Sequence, residues 1–251
     1  MSEQPEKAAN LLAFIRARMT ELNGTCEQHG DATVLVRTGS SWHCPTCVEQ
    51  QQESEGREHW LKTRLETLHG IANFPAKHAG KRFIAHTQEQ RDCRAMAAAF
   101  RDFIVERKQW AALMLIGANG TGKSLIATEL GESCINKFCR SVRYTTAHGM
   151  IAEIQASYGR EGKSEEAEIE RFVQFDLLII DEIDAKRDTD SANLLLTEVI
   201  GRRYNAEKPV VVISNQPVAS LPRFIGDRVC DRLRENNYTC AFNWPSFRGA
   251  V

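Results

Sequence analysis

The second half of the chain carries three short apolar runs: ALMLI at 112–116, LLIID at 177–181 and VVVIS at 210–214. Each is separated from the next by a stretch long enough for a helix. A strand wetted on one face alternates apolar and polar residues, so runs without alternation must be covered on both faces. SVRYTT at 141–146 adds a further strand and CAFNW at 240–244 a last one. Stretches over 89–108, 122–138, 147–158 and about 190–205 read as the covering helices. The expected class is α/β, a central parallel sheet between helical layers.

ALMLI runs directly into GANGTGKS at 117–124, which fits G-x-x-x-x-G-K-[ST] and leads into a helix. Glycines let such a loop wrap a phosphate closely with its N–H groups turned inward, and the helix N-terminus adds a partial positive charge. Gly117, Ala118, Asn119, Gly120, Thr121, Gly122, Lys123, Ser124 and Leu125 are therefore the candidate ATP-binding residues. Lys123 is placed for the β- and γ-phosphates and the Ser124 hydroxyl for Mg²⁺. LLIIDE at 177–182 delivers Asp181 to the carboxyl end of a buried strand, where sites lie in open α/β sheets. Asp181 is a second Mg²⁺ candidate, and Glu182 is placed to polarise an attacking water. VVVISN ends on Asn215, whose amide could orient that water or could simply cap the turn before Pro217.

The first seventy residues have a different character. EKAANLLAFIRARMTEL at 6–22 reads as a helix with Leu11, Leu12, Ile15 and Met19 on one face. Residues 49–70 read as an exposed helical connector whose apolar side is Trp60, Leu61, Leu65 and Leu68. A Pro/Gly/Lys-rich stretch over 73–81 then marks a boundary, giving an N-terminal module at 1–70 and an ATPase domain at 71–251. Between the two helices lies CEQHGDATVLVRTGSSWHCPTC at 26–47. Cys26 and His29 have C-x-x-H spacing, and Cys44 and Cys47 have C-x-x-C spacing. Two such pairs joined by a hairpin such as TVLVR suit one tetrahedral Zn²⁺, whose preferred donors are thiolate and imidazole. His43 competes as a ligand but adjoins Cys44. Four protein donors leave no open position, so the site would be structural. Cys93, Cys134, Cys139, Cys230 and Cys240 have no paired spacing and read as buried or incidental thiols.

Residues 1–70 hold 7 Lys+Arg against 10 Asp+Glu, and the remainder holds 25 against 23, so neither part is a polycation. Nucleic acid, if bound, must meet a local basic groove. No run of eighteen apolar residues exists and the first ten residues have no signal-peptide core. A cytoplasmic chain with no membrane association is expected, and in a reducing compartment a close cysteine pair is more often a metal site than a disulfide.

The order GANGTGKS, LLIIDEID, VVVISN, GDRVCDRLR, FNWPSFR resembles the DnaC-like bacterial and phage helicase loaders of the AAA+ ATPase family, over about residues 71–248. The resemblance implies a sensor role for Asn215, an arginine finger at Arg232 acting in trans, and a second sensor arginine at Arg248. It implies self-association through ATPase interfaces and slow, switch-like hydrolysis, and it matches the absence of a full C-terminal lid. It also implies a zinc-containing N-terminal module that grips a replicative DNA helicase, and single-stranded DNA contacts between the second strand and LLIIDE. There Tyr158, Arg160 and Lys163 combine a stacking ring with basic groups. Arg228 and Arg232, four apart beside Asp227, Asp231 and Glu235, could instead be a surface ion-pair row. A transposition-helper ATPase shares the ATPase signature but not, in general, the zinc module. A small-molecule kinase would lack the LLIIDEID, sensor-type Asn and GDRVCDRLR series. A zinc module that binds DNA directly fits poorly with the acidic balance of residues 1–70.

Overall fold

The computed structural model describes residues 24–32, 36–38, 41–157, 164–185 and 190–248. The helix expected over 6–22 and the DNA-contact candidates Tyr158, Arg160 and Lys163 lie outside the described residues. The chain divides into two compact units, Met1–Thr63 and Arg64–Val251.

The first unit contains two small antiparallel hairpins. Strand β1 (Gly24–Cys26) pairs with β2 (Gly30–Ala32), and β3 (Val36–Thr38) with β4 (Ser41–His43). Of the short hairpin expected over TVLVR at 33–37, residues 33–35 lie outside the described residues, and Val36 and Arg37 belong to β3 of the second hairpin. Gly30 takes φ +76, the left-handed conformation that closes the first turn. Helix α1 (Pro45–Ala72) starts where the Cys44 carbonyl accepts from the Val48 N–H at 3.1 Å. Proline suits that first helical position, because its missing N–H would be unpaired there anyway.

The connector expectation needs correction at its apolar side. Trp60 is 62% exposed, and Leu61 is also exposed. Leu65, Leu68 and Ala72, further along the same helix and within the second unit, instead pack into that unit's core. Burying a leucine is worth about 1.5–3 kcal/mol, so these positions serve the core of the second unit and are not free for a partner.

The second unit is one five-stranded sheet in the order β6-β7-β8-β5-β9, with every pair parallel. The chain enters through α2 (Gln88–Arg107), started by a reciprocal cap between Thr87 and Gln90. It continues as β5 (Ala112–Gly117), α3 (Lys123–Phe138), β6 (Val142–Thr146), α4 (Ala147–Gln155), α5 (Glu165–Gln174) and β7 (Leu177–Asp181). Then come α6 (Asp190–Asn205), β8 (Val210–Ser214), the short α7 (Pro222–Ile225), α8 (Asp227–Arg234) and β9 (Asn237–Phe242).

Successive strand residues feed opposite layers, as the pleat requires. Met114, Ile116, Leu178, Ile180, Val210 and Val212 join a core with α4, α5, α6 and α8. Leu113, Leu115, Ile179, Val211 and Ile213 join a second core with α2 and α3. The absence of alternation in the sequence is the signature of this double cover.

Two elements differ from expectation. Helix α5 falls in a charged stretch not read as a helix. Ser164 caps it by accepting from the Ala167 N–H at 3.1 Å, acidic residues fill its first turn, and Ile169, Phe172 and Val173 bury one face. Its last carbonyls are met by Arg203, which is fully buried and donates to Phe172 O, Val173 O, Phe175 O and Pro209 O. The last strand starts at Asn237, three residues before the expected 240, and ends at Phe242, so Trp244 leaves the sheet. Among the described residues after β9 there is no helix, and no helix is long and apolar enough to cross a membrane.

Candidate functional site

Strands β5, β7 and β8 lie side by side and end at one edge of the sheet, so the segments that follow them converge. The loop after β5 turns on Gly117, Gly120 and Gly122, at φ +148, +79 and +98. The space around them is as restrictive as the dihedrals. A Cβ on Gly120 would meet Ser246 Oγ at 2.0 Å, and one on Gly122 would meet the Phe83 ring at 2.6 Å. Helix α3 begins directly at Lys123.

Lys123 is 5% exposed. Its ammonium donates to Gly117 O at 2.6 Å, Ala118 O at 2.8 Å and Asn215 Oδ1 at 2.9 Å. Burial lowers its pKa from the usual lysine range. Asp181 and Asp184 oppose that shift, and Arg248 adds to it. A lysine whose three donors are spent on loop carbonyls and one amide can turn to phosphate oxygens by exchanging acceptors.

The Ser124 hydroxyl donates to Asp181 Oδ2 at 2.8 Å, so the two Mg²⁺ candidates from α3 and β7 already touch. The Tyr144 hydroxyl from β6 donates to the same oxygen, and the Glu182 N–H donates to Asp181 Oδ1 at 2.8 Å. Burial, then the Asp181 charge, pushes the Tyr144 phenol far up, so it stays a donor. Glu182 takes φ +52 and is exposed, which turns its side chain out of the strand line. The Asn215 N–H donates to Asp184 Oδ1 at 3.3 Å, linking the ends of β7 and β8. An anionic, metal-capable corner thus faces a cationic, amide-rich one across the mouth of the loop.

Residues after β9 close over that loop. The Phe247 N–H donates to Gly120 O at 2.9 Å, and the Trp244 indole N–H to Thr121 O at 2.9 Å. Phe83 packs edge-on to Phe247, with ring centroids 6.1 Å apart. Arg248 follows and is exposed beside the loop, its Cδ 3.2 Å from where a Gly120 Cβ would stand. The sequence reading had identified Arg248 here. Phe83, Trp244, Ser246 and Tyr144 were missed, because each alone looks like ordinary core or turn chemistry.

Arg232 is not gathered into this cluster. Its guanidinium lies over the Tyr204 ring at 5.6 Å and against Gly201, while its carbonyl accepts from the Trp110 indole at 3.0 Å. The alternative, an ion-pair row of Arg228 and Arg232, is not seen among the described contacts: neither forms a salt bridge, and Asp231 pairs with Arg234 at 2.8 Å instead.

In the first unit Cys26, His29, Cys44 and Cys47 bring their donor atoms within 4.8 Å of one another. Cys26 Sγ lies 3.5 Å from Cys47 Sγ, and His29 Nδ1 lies 3.3 Å from Cys47 Sγ, 3.7 Å from Cys26 Sγ and 3.9 Å from Cys44 Sγ. A tetrahedral Zn²⁺ has donor–donor edges of about 3.3–3.8 Å, so three thiols and an imidazole at these spacings fit that ion. His43 stays exposed and outside the group. Of the remaining cysteines, Cys93, Cys134, Cys230 and Cys240 are buried, and Cys139 is partly so.

A doubly covered parallel sheet whose first strand opens into a glycine loop and a helix, with an acidic strand end beside the loop, is an AAA+-type P-loop domain. More narrowly, the chain belongs to the IstB-like ATP binding protein family, whose model matches residues 24–234. It is similar to the replicative helicase loader DnaC of Escherichia coli (strain K12), 27% identical over 142 residues; the match covers 56% of this chain and 58% of that protein. The corresponding protein of Buchnera aphidicola subsp. Schizaphis graminum (strain Sg) is 24% identical over 181 residues, or 71% of this chain and 69% of that protein. Among solved structures, that of the DnaC helicase loader aligns with TM-score 0.57 at 19% identity, over 63% of this chain and 93% of that one. The replication initiator DnaA bound to AMPPCP and single-stranded DNA aligns with TM-score 0.58 at 16% identity, over 69% and 52%. These structural likenesses carry the fold.

Proposed function

We propose that the chain is an ATP-controlled loader that places a replicative DNA helicase on single-stranded DNA. The observation that carries the reading is the closed set of contacts Lys123–Asn215 and Ser124–Asp181 around the glycine loop, in a family whose curated relatives include DnaC loaders. In this reading Lys123 moves from its carbonyls to the β- and γ-phosphates. Ser124 and Asp181 hold Mg²⁺, which would neutralise charge on the transferring phosphoryl group. Glu182 takes the proton of the attacking water, and Asn215 holds that water in line. Arg248 reaches the phosphates from the segment after β9, and Arg232 serves the site of a neighbouring copy.

Cys26, His29, Cys44 and Cys47 would hold a structural Zn²⁺, ordering a small helicase-binding module that includes the exposed Trp60 and Leu61. The protein would act in the cytoplasm, hydrolyse ATP slowly, and touch single-stranded DNA through the segment holding Tyr158, Arg160 and Lys163. The DnaC relatives favour loading over a transposition-helper role.

The test is co-purification of the full chain with purified candidate replicative helicases, with ATP, with ADP and without nucleotide. A stable complex that also retains single-stranded DNA in ATP is expected. ATP binding without capture of any helicase in any nucleotide state would overturn the loader reading, and specific capture of a transposase would replace it.

A further inference from the structure

We propose that Tyr144 is a positioning residue of the magnesium site, a phenol that fixes the Asp181 carboxylate in place for the ion. The inference rests on the ATP–Mg²⁺ reading of the loop. Tyr144 is placed by strand register. β6 pairs with β7 so that Tyr144 lies opposite Ile179 and Thr146 opposite Asp181. Tyr144 and Asp181 are therefore diagonal neighbours on one face of the sheet, a spacing of about 7–8 Å that a tyrosine spans and most other side chains do not. The ring is buried, with Phe74 edge-on at 6.4 Å, and the Tyr144 carbonyl accepts from Asn73 Nδ2 at 3.3 Å. Ring and backbone are thus both fixed, and the hydroxyl can aim only where the ring points.

The hydroxyl ends on Asp181 Oδ2, which also accepts from Ser124 Oγ. Asp181 Oδ1 accepts from the Glu182 N–H. A hydroxyl that offers a lone pair to the ion keeps its O–H, so Ser124 can ligate and still donate to Oδ2. Tyr144 is a second side-chain donor on that oxygen, held by a buried ring and not itself a ligand, and it restrains the carboxylate from rotating whichever way the Ser124 hydroxyl turns. Partners that orient a ligating carboxylate in this way typically contribute about 10–100-fold in metal affinity. A phenylalanine would fill the same space and pack the same way, so the hydroxyl's work can be separated from the ring's.

The test uses the full chain and a fluorescent ADP analogue, titrated with Mg²⁺ and separately in EDTA. In the wild type Mg²⁺ should strengthen nucleotide binding. Tyr144→Phe should raise the Mg²⁺ concentration at half-saturation about tenfold and leave affinity in EDTA and the melting temperature unchanged. In an Asp181→Ala background the same substitution should have no further effect on the Mg²⁺ dependence, because the group it positions is gone. A Tyr144→Phe curve that superposes on the wild type would overturn the assignment. So would a shift that persists without Asp181, or one matched by an equal loss in EDTA, since both mark simple packing. A wild type indifferent to Mg²⁺ would overturn the magnesium site itself, and it is recognised in the wild-type arm before any variant is compared.

Discussion

Lys123 shows how one side chain serves two states. Buried, with its ammonium on two loop carbonyls and Asn215 Oδ1, it has enough partners to remain charged until phosphate arrives. Lys123→Ala should weaken ATP binding on the order of a hundredfold, because a hydrogen bond to a charged group contributes about 1.5–3 kcal/mol and at least one phosphate contact is lost. Glu182→Gln should bind ATP as the wild type does but slow phosphate release about a hundredfold, since an amide cannot take a proton. Nucleotide titration and single-turnover phosphate release measure the two effects, and equal turnover in Glu182→Gln would remove the role from Glu182. The identities of these residues were legible because each closes a motif attached to a buried strand. Their pairings were not. Lys123 meets Asn215 across 92 positions and Ser124 meets Asp181 across 57, separations that only the sheet order resolves. Tyr144 was illegible for the same reason, since a tyrosine in a strand reads as core until the register of the neighbouring strand is known.

At the scale of elements, the strands covered on both faces were read almost to the residue, because double burial leaves no other composition. The edge strand β9 was misplaced. Asn237 and Tyr238 are both half-buried and an exposed/buried alternation begins only at Thr239, so the apolar window CAFNW slides toward Trp244, which packs on the glycine loop instead. Helix α5 carries local signals, a Ser164 cap, an acidic first turn and an apolar face, but the charged stretch around them reads as a surface loop, and only Arg203, 28–31 positions away on α6, shows how its far end is closed. The two hairpins of the first unit pose the opposite problem, because three-residue strands have almost no core to hold them. In the proposed reading the four-donor cluster, which could hold a metal ion, is what orders them. Elemental analysis of protein purified without chelator should find about one zinc per chain. Cys44→Ser should lower that content and remove hydrogen-exchange protection over 24–43, while the melting of the Arg64–Val251 unit stays within about 2 °C of the wild type. Zinc-free protein with the hairpins still protected would show that the cluster is not what orders them.

At the scale of the whole molecule, one of the proposed catalytic residues stands apart from the others. The loop, the acidic strand end, Asn215 and Arg248 come together within the second unit. Arg232 instead lies over Tyr204 and against Gly201, among residues of α6 and the opposite helical layer. Arg232 is half-buried against that ring and glycine, away from the loop, and in the proposed reading it serves a site belonging to another copy. Head-to-tail contacts repeat one such interface around a ring where the rotation closes, or along an open helix where it does not. Arg232→Ala should then bind ATP with nearly unchanged affinity and lose turnover by about 10³-fold, the low end for an arginine finger. Lys123→Ala should lack turnover for the opposite reason, its own loop being largely empty at ATP concentrations that fill the wild type. Mixed in equal amounts, the two proteins should recover activity, because about a quarter of the interfaces join an intact loop from one variant to an intact arginine from the other. Single-turnover phosphate release across mixing ratios measures this, with a maximum expected near equal proportions. A flat line at the sum of the two inactive proteins would place the action of Arg232 within its own chain, where its contact with Tyr204 leaves it only a structural task.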